Sequence, residues 1–205
     1  MTSRQVVAEG DAGVEDRRLD RIVAWVLSVG GLVGLVAAFV LTVEKFELML
    51  NSNYIPTCTF NAALSCGTVM QSPQAAVFGF PNSLLGIGGF GVVTAIGFGL
   101  LAGATYRRWF WLGLQAGATL AVVFVHWLVV QSLYDIRVLC PYCMVVWAVT
   151  IPVFVYTTLH NLERGHFGGR GGGRAVVGYH GILTATWLAV LAALVFTAFG
   201  ASLFA

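Results

Sequence analysis

The chain has 205 residues, 58% of them hydrophobic and only 10% charged, with a mean hydropathy of +0.84. A soluble domain carries about 25% charged residues, so this composition excludes an ordinary globular protein and points to an integral membrane protein. The net charge of +2 argues nothing alone, and nothing in the sequence suggests nucleic-acid binding.

Residues 1–20 are polar with mixed charge (Glu9, Asp11, Glu15, Asp16, Arg17, Arg18) and read as a disordered tail. No short apolar region with a small-residue cleavage site follows, so the first apolar run reads as an uncleaved anchor. That run, 22–43, is charge-free and long enough to cross about 30 Å of hydrocarbon as a helix; Glu44, Lys45 and Glu47 close it. Residues 48–81 form a long non-spanning segment holding Cys58 and Cys66. Within it Ser72-Pro73 is a helix-start signature, serine as N-cap and proline at N1, predicting a short lid helix over 74–78. The second span, 83–105, carries glycines at 86, 88, 89, 91, 97, 99 and 103, whose small size favours close helix packing in lipid. The third span is 109–131, and after Asp135 and Arg137 the fourth opens at Cys140 and runs to 159. Residues 161–174 are glycine-rich and basic; they lack the Lys-Ser/Thr of a phosphate loop and read as a flexible connector. A fifth span covers 182–204.

Orientation follows from the cations. Nine arginines (4, 17, 18, 21, 107, 108, 164, 170, 174) fall on one side, against Lys45 and Arg137 on the other. The arginine-rich side is expected to be cytoplasmic, which places all four cysteines at the outer face, where disulfides persist.

The chemistry centres on Cys140-Pro141-Tyr142-Cys143. Cysteines three apart on a helix share a face, with Cα atoms roughly 5 Å apart, within reach of a disulfide. Pro141 suits a first helical position, which puts Cys140 near the N-cap, where the helix dipole favours the attacking thiolate. Alone, the motif also reads as a stabilising disulfide or two buried thiols. Together with Cys58 and Cys66 on the same face it suits a relay, in which thiol–disulfide exchange passes two electrons from pair to pair and on to a lipid-dissolved acceptor, in practice a quinone. A tetrahedral zinc site is the rival use of four cysteines, but C-x7-C is a poor zinc knuckle and no metal is expected. His126, in the outer half of the third span, is an intramembrane ionisable residue and so a functional suspect, though packing beside Trp127 accounts for it. Trp109, Trp111, Trp127 and Trp147 sit near span ends and can be explained as belt residues.

Ser65-Cys66-Gly67, Ser72 six residues beyond Cys66, Gly79-Phe80-Pro81-Asn82 at the second span and Cys140-Pro141-Tyr142-Cys143 at the fourth together resemble the vitamin K epoxide reductase family, specifically its bacterial members, over about 21–160. The other quinone-coupled membrane thiol oxidases place the C-x-x-C pair first in the chain, so the cysteine order separates the two.

The resemblance implies an all-α membrane fold, a four-helix catalytic bundle (21–160) around a quinone capped by a loop helix, to which the composition adds a linker (161–181) and a fifth transmembrane helix (182–205). It implies that Cys140 and Cys143 are the active pair, Cys143 nearest the quinone. Cys58 and Cys66 match the shuttle pair, Cys58 meeting the partner protein and Cys66 exchanging with Cys140. Ser72 matches a serine that supports cysteine reactivity, and Asn82 an asparagine that hydrogen-bonds a quinone carbonyl. Trp147 stands where animal enzymes carry a tyrosine on the other oxygen; an indole N–H can still donate there. The implied acceptor is menaquinone or ubiquinone, and the implied partner a separate thioredoxin-fold (DsbA-like) extracytoplasmic protein, since the fused thioredoxin-like domain of many bacterial relatives is not seen in this sequence. The implied location is the bacterial plasma membrane, N-terminus inside and C-terminus outside. Two alternatives stand beside this reading: a conduit carrying reducing power outward, and a non-catalytic membrane protein with structural disulfides.

Overall fold

The computed structural model describes residues 18–51, 53–168 and 178–200; the tail up to 17, the glycine-rich centre of the linker and the last five residues lie outside the described residues. Among these the chain is nearly all helical, with no strand and five helices long and apolar enough to cross a membrane. They are α1 (Arg18–Leu50), α3 (Asn82–Leu101), α4 (Arg108–Ile136), α5 (Pro141–Glu163) and α6 (His180–Phe199). Between α1 and α3 lie the short helix α2 (Cys66–Gln71) and a 3-10 turn (Pro73–Ala76).

Helix α1 packs against both α3 and α5, α4 packs against α5, and α6 lies on the outer side of α5. The four bundle helices thus form an arc, α3–α1–α5–α4, whose two ends share no extensive interface among the described residues. The α1–α3 contact depends on small residues. A Cβ on Gly97 would strike the backbone of Leu27 and Ser28, one on Gly86 would come within 2.9 Å of Ala38, and one on Gly31 within 2.8 Å of the Thr94 backbone nitrogen. Gly88, Gly89 and Gly91 face open space, so only part of the glycine stripe serves this contact. Gly97→Val is therefore expected to destabilise the protein by about 1–3 kcal/mol, because no rotamer relieves a clash with backbone. Gly88→Val should be close to neutral. Thermal unfolding of the two variants in the same detergent checks the contrast, and equal losses would refute it.

Several boundaries differ from those read in the sequence, each for a local reason. Helix α1 already includes Arg18, Leu19 and Asp20, because Asp20 pairs with Arg164 and His160 on α5 and its C-terminal neighbour. At its other end α1 runs through Glu44, Lys45 and Glu47 to Leu50. Those charges do not end the helix, since Glu44 and Lys45 find partners in the following loop. Asn161 is no linker residue. It is fully buried in α5 and donates to the Trp111 carbonyl and to Gln115 Oε1 on α4. Trp111 and Trp147 are buried too, Trp111 stacked on His160 at 3.7 Å, so neither is a belt residue.

His126 joins the fifth helix to the bundle. Its Nδ1 meets the Val122 carbonyl at 2.7 Å and its Nε2 accepts from the Trp187 indole N–H at 3.0 Å. Both ring nitrogens are used, which assigns the neutral Nδ1–H tautomer and accounts for the residue by packing.

The alternation of helices brings Arg18, Arg21, Arg107, Arg108 and Arg164 to one end of the bundle. Lys45, Arg137 and all four cysteines lie at the other.

Candidate active site

The site is assembled where the α1–α3 loop meets the start of α5. Asn61 makes the turn that brings the loop in, its Oδ1 accepting from Ala63 N–H at 3.0 Å and Leu64 N–H at 2.8 Å. Leu64 then pairs with Leu139 in an isolated parallel bridge: Leu139 N–H donates to Ala63 O at 2.8 Å and Ser65 N–H to Leu139 O at 2.9 Å. Directly after the bridge both chains turn into helices. Ser65 caps α2, its hydroxyl accepting from Thr68 N–H, and Cys66 is the first residue of that helix. Cys140 caps α5, its sulfur accepting from Cys143 N–H at 3.4 Å with Pro141 at the first helical position, as the sequence predicts.

This register sets two sulfurs side by side. Cys58 and Cys66 form a disulfide, Cys140 and Cys143 are free thiols, and Cys66 Sγ stands 3.2 Å from Cys140 Sγ. Cys58, Cys66 and Cys140 are all buried, in a cluster with Leu41, Leu48 and Met70, while Cys143 is half-buried. The Cys143 thiol first, then the backbone N–H groups of Cys143 and Tyr142, draw the Cys140 pKa below the ordinary thiol range against the opposing effect of burial. The sulfurs of Cys58, Cys66 and Cys140 lie within 4.8 Å of one another. Two of these three are joined in a disulfide bond, and Cys140 is the free thiol of the group.

The lid differs in detail from its sequence reading. Ser72 ends α2 and opens the 3-10 turn, but its hydroxyl donates back to Val69 O at 2.7 Å and caps nothing ahead of it. The turn covers Pro73–Ala76, where 74–78 was expected. Gln74 bonds Asp135 at the end of α4, and Phe78 packs on Phe124 with centroids 5.8 Å apart. Asn82 holds the lid from the other side, its Nδ2 donating to Gln74 O at 2.7 Å and its Oδ1 accepting from Val77 N–H at 3.2 Å. The lid therefore bridges α3 and α4, the open ends of the arc. Trp147 is one turn beyond Cys143, buried in a cluster with Val125, Val129 and Leu133 of α4 and Val195 of α6, and its indole makes no hydrogen bond to a described residue.

Whether these residues suit a quinone can be tested on their hydrogen-bond capacity. One Asn82 amide hydrogen remains uncommitted, the Trp147 N–H is available, and the half-buried Cys143 shares the Trp147 cluster. Asn82 and Trp147 thus each keep a donor that a quinone carbonyl oxygen could take.

The cysteine loop is docked on the end of α1. Glu44 takes hydrogen bonds from Tyr54 and Thr57, and Lys45 Nζ donates to Met70 O at 2.7 Å. In the sequence Glu44 and Lys45 read only as the end of a span, and Tyr54 and Thr57 carry no assigned role. The available signal was a pair of opposite charges in the last turns of a span, next to a loop carrying cysteines.

A helical membrane bundle holding a disulfide against a free C-x-x-C thiol defines a membrane thiol–disulfide oxidoreductase. Residues 25–158, well over half of the chain, match the family model described as Vitamin K epoxide reductase family, and the protein belongs to that family. Among curated proteins no match is found.

Proposed function

We propose that this protein oxidises a separate thioredoxin-fold (DsbA-like) protein outside the plasma membrane of a bacterium and passes the electrons to membrane menaquinone or ubiquinone, so supporting disulfide formation in exported proteins. The observation that carries the reading is the 3.2 Å approach of Cys66 Sγ, in a closed disulfide, to Cys140 Sγ, a free thiol. In the working direction a partner thiolate attacks Cys58 and Cys66 leaves as a thiolate; the partner's second thiol then closes the partner's own disulfide and frees Cys58. The Cys66 thiolate then attacks Cys140 of a Cys140–Cys143 disulfide, Cys143 leaves as a thiolate, and Cys58 closes on Cys66 to expel Cys140. Two electrons and two protons have moved from the partner's dithiol to Cys140 and Cys143, the state seen here. One pair closed and one open supports a relay over two permanent disulfides.

A quinone, when bound, supplies a two-electron, two-proton acceptor. Asn82 and Trp147 are the residues proposed to orient it, and Cys143 the thiol that faces it. Ser72 is proposed to steady the turn between α2 and the lid. The catalytic unit is the four-helix portion of the chain, 21–160, with the N-terminus cytoplasmic and the C-terminus outside.

Purified protein in vesicles, given a reduced thioredoxin-fold oxidase and a soluble quinone, is expected to oxidise one partner dithiol for each quinol formed. Partner oxidation without quinol formation would sink the quinone assignment. Impermeant-maleimide labelling of reduced cysteines only after membrane disruption would sink the orientation.

A further inference from the structure

Glu44 is a buried carboxylate, 5% exposed, near the end of a predominantly apolar helix. A buried charge persists only where donors surround it, and three surround this one. Tyr54 Oη donates to Oε2 at 3.0 Å, Thr57 Oγ1 donates to Oε1 at 2.5 Å, and Thr57 N–H donates to the same carboxylate at 3.2–3.3 Å. Thr57 immediately precedes Cys58. The neighbouring Lys45 reaches the opposite flank of the disulfide, donating to the carbonyl of Met70, four residues beyond Cys66.

The two limbs of the disulfide thus have different anchors. The Cys66 limb is pinned by the Leu64–Leu139 bridge and by Lys45. The Cys58 limb, residues 53–58, has no regular secondary structure, and besides the packing of Tyr54 and Cys58 in the cluster with Leu41 and Leu48, its side-chain hydrogen bonds to the bundle among the described residues go to Glu44. Cys58 itself is 3% exposed, so a partner's sulfur reaches it only when this limb lifts.

We propose that Glu44 is the latch of the Cys58 limb: a positioning residue whose hydrogen bonds to Thr57 and Tyr54 keep Cys58 sealed while Cys66 faces Cys140, and whose release presents Cys58 to a thioredoxin-fold partner without disturbing the Cys66–Cys140 register. The proposal rests on the shuttle role given above to Cys58–Cys66. The Tyr54 hydroxyl carries the imprint of the latch, its pKa raised above the ordinary phenol range chiefly by the hydrogen bond to Glu44.

The test uses the full chain in lipid vesicles and two readouts that need neither partner nor quinone. The first is the rate at which an impermeant maleimide modifies Cys58 when it is the sole remaining cysteine. Glu44→Ala should raise it at least about tenfold, the factor set by loss of one charge-assisted hydrogen bond. Tyr54→Phe, which removes one donor without changing shape, should raise it about threefold, as loss of a weaker single bond does, and Glu44→Gln should fall between the parent and Glu44→Ala. The second readout is oxidative Cys66–Cys140 cross-linking in a Cys58→Ser, Cys143→Ser background. It should be unchanged by Glu44→Ala or Tyr54→Phe and reduced by Lys45→Met. An unaltered labelling rate in Tyr54→Phe and Glu44→Ala overturns the latch. So does a fall in cross-linking alongside faster labelling, which would show a general loosening. Should the latch behave as described while no quinol forms with partner, the functional reading fails and the latch stands.

Discussion

Replacing Cys66 by serine will strand the partner protein on Cys58. Cys58, a lone thiol in this variant, attacks the disulfide of an oxidised partner and one partner sulfur leaves as a thiolate; the mixed disulfide persists because the sulfur that would expel the partner from Cys58, bonded to it in this structure with Cα atoms 5.6 Å apart, is gone. Gels run without reductant should show the covalent complex, and turnover should fall at least about a hundredfold, as it does when a nucleophile is removed. Cys58→Ser should behave differently. Cys66 then lacks its nearest partner but keeps Cys140 at 3.2 Å, so an internal Cys66–Cys140 bridge is expected in place of an external adduct. Trapping through Cys66 instead would reverse the assignment of the two loop cysteines and leave the family membership intact.

The second large effect separates Cys140 from Cys143. Cys140 is buried at the helix cap against Cys66, while Cys143 is half-buried one turn deeper, about 4.5 Å along the axis at 1.5 Å per residue. A purified Cys140→Ser variant mixed with a quinone should show a visible charge-transfer band from the Cys143 thiolate. Cys143→Ser should show none. Both lose turnover by at least about a hundredfold, so the spectrum and not the rate discriminates. Equal bands, or none despite quinone binding, would put the electron exit on the wrong sulfur. The Cys140 side has its own pH signature. A lowered pKa keeps the thiolate present to lower pH than an ordinary cysteine, and reactivity is lost as pH falls through that lowered value. Alkylation of Cys140 in Cys66→Ser should therefore remain fast below the pH at which a free thiol slows. Since the Cys143 thiol is the first cause of the shift, adding Cys143→Ser should move the profile back toward higher pH.

What the sequence reveals and what it hides follow from the range of the interactions involved. Spans and the cysteine-bearing helix start are local facts: apolar length marks the helices, and Cys140-Pro141 marks a cap. The pairing of Cys66 with Cys140 was legible through resemblance, but the device that brings them together was not, because a two-residue bridge between Leu64 and Leu139 leaves no periodic signal. The end of α1 was misread for a physical reason. Charge normally closes a span, yet Glu44 and Lys45 continue it because a loop wraps back onto them. Ser72-Pro73 has the composition of a capping pair, but the serine hydroxyl finds a closer acceptor behind it at Val69. His126 and Trp187, 61 residues apart, meet only once α6 is docked.

The Leu64–Leu139 bridge also bears on how the protein is made. Cys58 and Cys66 are separated by 8 residues and leave the ribosome together, whereas Cys140 follows 74 residues after Cys66. At about 5–20 residues per second, the loop is made several seconds before the helix that pairs with it. During that interval the only cysteine partner available to either loop cysteine within the chain is the other one. A disulfide closed in that interval would meet no competition from within the chain, and Leu139 would then arrive beside a finished loop. A variant that places Cys140 ahead of the loop is therefore expected to show more mispaired chains on gels run without reductant.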